Sequence, residues 1–93
     1  MPITPITEFK AAETKAEELY EFLKSLVPYI SSSEGCLSCE VLRSNEDKSR
    51  FTVIEKWGSV DLHKKSVDNF PRERMQAAIR LFGASPKGGY FHT

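Results

Sequence analysis

The chain has 93 residues, of which 40% are hydrophobic and 28% charged, and its thirteen basic and thirteen acidic side chains cancel. A length near 100 residues suits one domain, here residues 1–93, with a small core that buries only about two thirds of the unfolded surface. Cancelled charge leaves no field to gather a polyanion, which disfavours nucleic acid, and no apolar run is long enough for a membrane span.

Residues 3–10 (ITPITEFK) read as a first strand, with Pro5 favouring an edge position, a bulge or a start after the proline, because it has no ladder donor. A helix follows. Thr14 and Glu17 have capping-box spacing, and Ala16, Leu19, Tyr20, Leu23, Leu26, Val27 and Ile30 form one apolar stripe, with Pro28 expected to bend or end it. Glu34 and Gly35 punctuate the chain before CLSCEVLR, and the polar residues 44–49 connect it to RFTVIEKW as a hairpin. Alternation puts Leu37, Cys39 and Val41 on one face of the first hairpin strand. It puts Phe51, Val53, Glu55 and Trp57 together on a face of the second, with Glu55 among apolar neighbours.

Cys36 and Cys39 have redox or half-metal spacing, but strand parity sends them to opposite faces and there is no second pair, so free structural thiols are expected. Gly58 and Ser59 interrupt the strand, and a helix is expected over residues 60–69, with His63, Val67 and Phe70 on one side. Pro71 suits the first position of a resumed helix whose buried stripe is Met75, Ala78, Ile79 and Phe82. Gly83 ends that periodicity, and residues 90–93 read as a last short strand. The order strand, helix, strand, strand, helix, strand is an α+β, ferredoxin-like split-βαβ arrangement. The N-terminal MPITPITEFK lacks the regions of a secretory signal, so a cytoplasmic setting is expected.

The hairpin EGCLSCEVLRSNEDKSRFTVIEKW, with weaker similarity through Ser59 and Phe70, resembles the antibiotic biosynthesis monooxygenase family of the dimeric α/β-barrel superfamily. The resemblance implies a homodimer that pairs through its sheets as a dimeric α/β barrel. It also implies a cofactor-independent monooxygenase, without metal or flavin, acting on a small aromatic, phenolic or quinol-like compound. Trp57 matches the family's tryptophan at the end of the third strand and Glu55 the acid two positions before it, whereas Cys39 stands where an aromatic residue is common. No histidine occupies the helix position near Lys65 and Ser66 where the family often has one, and the first strand lacks the asparagine of haem-degrading relatives.

Within that chemistry His63 is the candidate base and Glu55 an orienting acid, while Trp57, Tyr20, Phe22, Phe51 and Phe70 are candidate walls of an aromatic cleft. No phosphate-binding glycine loop, zinc-ligand set or dinucleotide fingerprint is present, so neither cofactor nor metal is expected. The competing readings are a non-catalytic small-molecule binding protein and a structural or stress-associated homodimer. A haem-handling enzyme ranks below them.

Overall fold

The computed structural model describes residues 2–93. Its elements are β1 (Thr4–Lys10), α1 (Ala16–Ser32), β2 (Cys36–Arg43), β3 (Arg50–Trp57), α2 (Val60–Asn69), α3 (Arg72–Ile79) and β4 (Lys87–Phe91). The split-βαβ order is as expected, with the second helical region in two pieces. All neighbouring strands are antiparallel in an open four-stranded sheet ordered β2-β3-β1-β4. This corrects the expected barrel: β2 and β4 are free edges, and the sheet does not close on itself. Among the described residues no helix is long and apolar enough to cross a membrane.

Pro5 does not push β1 to an edge. β1 lies between β3 and β4, and Pro5 faces Tyr90 across the β4 ladder. Ile3 and Trp57 exchange both backbone hydrogen bonds at 2.9 Å, and β1–β3 pairing is regular again from Ile6 opposite Ile54. The central strand therefore tolerates a proline because donors on either side hold its register.

One face of the sheet is covered by the helices. Leu19 and Leu23 of α1 are fully buried against Phe51 and Val53, with Ala78 and Leu81 closing the cluster from the α3 side. The stripe expected for α3 is only partly inward: Ala78 is buried, but Met75 is 40% and Ile79 57% exposed, and Leu81, beyond the helix, takes the core position. Helix α3 is eight residues long, so it turns too briefly over the sheet to bury a whole stripe.

The capping box expected at Thr14 does not form. Thr14 has a φ of 65° and Lys15 precedes the helix without a side-chain cap. Pro28 does not end α1 either, which continues to Ser32 with the proline exposed. An exposed Pro28 leaves the carbonyl one turn back to water.

A bulge between Cys36 and Ser38 overturns the parity expected in β2. Leu37 is displaced and 63% exposed, while Cys36 comes opposite Trp57 and Cys39 opposite Glu55, so both thiols share the helix-covered face. An extra residue in one strand inverts the alternation of everything before it. Both cysteines are free, and burial, helped by Glu55, pushes Cys39 up to about 12 and raises Cys36.

Gly35 makes the turn from α1 into β2 at a φ of +89°, and its carbonyl accepts from Gly58 N–H at 2.8 Å, tying the starts of β2 and α2 together. A Cβ there would fall inside the Leu62 side chain. Gly35→Ala is expected to lower stability by about 1–3 kcal/mol from positive φ and overpacking together. Urea unfolding measures it, and an unchanged midpoint would show that the turn relaxes freely.

Candidate functional site

Glu55 and Trp57 lie two residues apart on β3, so the pleat sends both side chains to the covered face. Trp57 is fully buried and donates its indole Nε1–H to Glu55 Oε1 at 2.8 Å, which supplies the donor a carboxylate needs away from water. Ser59 caps α2 by accepting from Leu62 N–H at 3.2 Å, and the helix then brings His63 back over the end of β3. His63 Nε2 stands 3.9 Å from Glu55 Oε1. The His63 ring lies edge-on to Trp57 at 5.3 Å and to Tyr90 at 5.4 Å, and its Nδ1 is 2.8 Å from the Tyr90 hydroxyl.

Glu55, Trp57 and His63 line a cavity of about 220 Å³ between the sheet, α1 and the α2–α3 corner, with Tyr90 behind His63 and outside the lining. Its other walls are mostly apolar, with Phe9 from β1, Leu26 and Ile30 from α1, and Val67, Phe70 and Met75 from the corner, interrupted by Thr7, Tyr29 and Ser66. Proline at 71 favours extended backbone at the residue before it. Phe70 is extended accordingly, its ring set edge-on to Tyr29 at 5.2 Å. Tyr29 donates to the Ser66 carbonyl at 2.7 Å, and Ser66 donates to Ser33 Oγ at 2.9 Å, bolting α2 to α1 beside the opening.

Of the residues singled out from the sequence, Glu55, Trp57, His63 and Phe70 meet at this cavity. Tyr20, Phe22 and Phe51 do not line it. Tyr20 stacks on Phe51 at 5.5 Å with Arg43 5.4 Å from the Tyr20 ring centre, and Phe22 lines a shallow groove against α3. Tyr20 and Phe22 were grouped with the site by residue type, which does not report where along a helix the sheet opens. Tyr29 and Ser66 went unnoticed, although Ser66 is one turn past His63 on the same helix face. Tyr90 also went unnoticed, since its meeting with His63 depends on the β1–β4 register.

Burial lowers the His63 pKa, partly opposed by the nearby Glu55 charge. Burial, with the Glu55 charge adding to it, raises Tyr90. The site thus sets an imidazole whose charged form burial disfavours beside an acid side chain, a phenol and an indole. Among the described residues no group of three or more His, Cys, Asp and Glu side chains is placed to hold a metal ion.

The chain matches the family described as antibiotic biosynthesis monooxygenase over residues 2–80. No functionally curated protein matches it. Among solved structures, it is similar to a protein of Pseudomonas aeruginosa at 24% identity and a TM-score of 0.89, covering 99% of this chain and 93% of that one. A Shewanella oneidensis protein gives 23% identity and a TM-score of 0.85, with 99% and 90% covered. SnoaB, a cofactor-independent oxygenase from Streptomyces nogalater, gives 15% identity and a TM-score of 0.84, with 99% and 92% covered.

A lowered His63 pKa means that the unfolded chain takes up its proton first. This stability contribution is complete above about pH 6.5 and declines as pH falls below it. The ring's NMR titration midpoint is expected below about 6.5. In Glu55→Gln it should fall further, because the opposing charge is gone. A midpoint that rises in Glu55→Gln would contradict this electrostatic account.

Proposed function

The chain belongs to the antibiotic biosynthesis monooxygenase family, and on that premise we propose that it is a cofactor-independent monooxygenase of a small phenolic or quinol-like aromatic compound. The observation that carries this reading is an apolar cavity in which an imidazole and a carboxylate face each other, His63 Nε2 to Glu55 Oε1, across 3.9 Å. That spacing is too long for a hydrogen bond between them. It leaves room for a substrate hydroxyl to approach both.

His63 Nε2 takes the hydroxyl proton. The resulting phenolate is electron-rich enough to add molecular oxygen at a ring carbon as a hydroperoxide. Its O–O bond then breaks, one oxygen staying on that carbon as a carbonyl and the other leaving as water with two hydrogens of the substrate. The substrate itself thus supplies all four electrons, and the product is a quinone. Trp57 lies edge-on to His63 and fixes Glu55, so the acid is held where it steadies the imidazole's positive charge after transfer. Apolar walls exclude competing water from the anion. A cavity of about 220 Å³ suits one substituted ring or two fused rings, since about 150 Å³ of apolar cavity accommodates benzene.

Binding without turnover is the second reading. It is favoured by the resting contacts, because Glu55 is already engaged by Trp57, and His63 by Tyr90. The two readings part on oxygen consumption with a panel of dihydroxyaromatic compounds in metal-free buffer. Catalysis predicts uptake that falls by about 10²–10⁴ in His63→Ala. Equal rates in wild type and His63→Ala would reject His63 as the base, and ligand binding with no uptake would favour the second reading.

The uncovered face of the sheet bears Ile6, Ile54, Leu42 and Phe91, the last two 45% and 53% exposed. We infer a homodimer that covers this face, in keeping with so small a one-sided core. The two free thiols suit a cytoplasmic setting. Sedimentation over a range of concentrations is expected to show a two-chain species that Leu42→Lys weakens at least tenfold. A folded wild-type monomer at every concentration would overturn the dimer.

A further inference from the structure

We propose that Tyr90 is the positioning residue of the site: its phenol oxygen accepts the Nδ1–H of His63 and so leaves Nε2 as a bare acceptor toward the cavity. The inference rests on the monooxygenase reading only for what Nε2 then does.

Three observations carry it. The Tyr90 oxygen lies 2.8 Å from Nδ1, the one hydrogen bond of the His63 ring among the described residues. The ring is held edge-on between Trp57 and Tyr90, at 5.3 and 5.4 Å, so a flip that exchanges the nitrogens would have to displace two aromatic neighbours. Nε2 is 3.9 Å from Glu55 Oε1, beyond hydrogen-bond reach, and that oxygen already accepts from Trp57 at 2.8 Å.

Counting donors then separates the two tautomers. With the proton on Nε2, Tyr90 would donate to Nδ1 and the Nε2–H would point into the cavity, its nearest carboxyl oxygen, Glu55 Oε1, standing beyond hydrogen-bond reach at 3.9 Å and already taken by Trp57. With the proton on Nδ1, the N–H has the phenol oxygen, and the phenol O–H turns to water, since Tyr90 is 43% exposed. Counted over direct contacts among the described residues, the second arrangement is the one in which the imidazole N–H has a partner. A hydroxyl suits this place because the same oxygen accepts from Nδ1–H whether the ring is neutral or protonated, so nothing must rotate as Nε2 takes up a proton.

The assignment adds a residue from the edge strand β4 to a site otherwise built from β3 and α2. Tyr90 sits opposite Pro5 in the register, on the face that carries Glu55. Its delivery to His63 thus depends on the proline-bearing central strand.

The test is a long-range ¹H–¹⁵N correlation spectrum of the imidazole rings at about pH 8, above the His63 midpoint. Wild type is expected to show a protonated Nδ1 and a bare Nε2. Tyr90→Phe is expected to return His63 to the Nε2–H form that unconstrained histidine prefers. A wild-type Nε2–H form, or the same tautomer in both proteins, would overturn the proposal, and the wild-type spectrum decides by itself should the variant fail to fold. Nδ1–H in wild type with no turnover on any substrate would support Tyr90's role and count against the monooxygenase reading. Turnover with Nε2–H would do the reverse.

Discussion

A carboxylate on the covered face of a sheet needs a donor, and Glu55 takes one from its own strand, the indole N–H of Trp57 at 2.8 Å. Strand alternation leaves the protein little choice. Phe51 and Val53 must face the helices to make the core, and the same period carries Glu55 and Trp57 inward behind them. Unpaired, Glu55 would cost several kcal/mol. Paired, it becomes a fixed polar group in the cavity wall, over which the capped helix α2 sets His63 while the β1–β4 register brings Tyr90 to the far side of that ring.

The cavity exists because the helical layer is broken where the sheet ends. Helix α1 runs long enough to cover Phe51 and Val53 with Leu19 and Leu23, and farther along it offers Leu26, Tyr29 and Ile30. The second helical region stops at Phe70 and restarts after Pro71. A continuous helix would lie flat on the sheet and fill the space. Two short pieces meeting at a corner leave it open, with Phe70 and Met75 on one wall and the Tyr29–Ser66 bond fixing the corner against α1.

That Glu55, Trp57, His63 and Phe70 come together at one cavity is a pattern visible in the chain, and where the fold departs from that pattern the physical causes are identifiable. The pairing of Glu55 with Trp57 and the capped helix bringing His63 back over them rest on local periods of 2 and 3.6 residues. The parity of Cys36 failed because one bulge residue, Leu37, reverses the count. Pro5 favours an edge position, a bulge or a strand starting after it, because a proline lacks one donor, but flanking pairs at Ile3 and Ile6 hold the strand centrally and in register without it. Tyr20 and Phe51 looked like cleft residues by chemistry alone and are spent on stacking in the core instead.

The sequence by itself determined which side chains of β3 share a face, the order of the elements and the residues of α2, because these depend on neighbours a few positions away. Tertiary structure decided that the sheet stays open, that the aromatic residues divide between core and cavity, and that Tyr90 meets His63 across 27 positions. Those outcomes depend on how β1 pairs on both sides and on where the helical layer breaks. Such contacts are fixed by the packing of the whole chain, and no local periodicity encodes them.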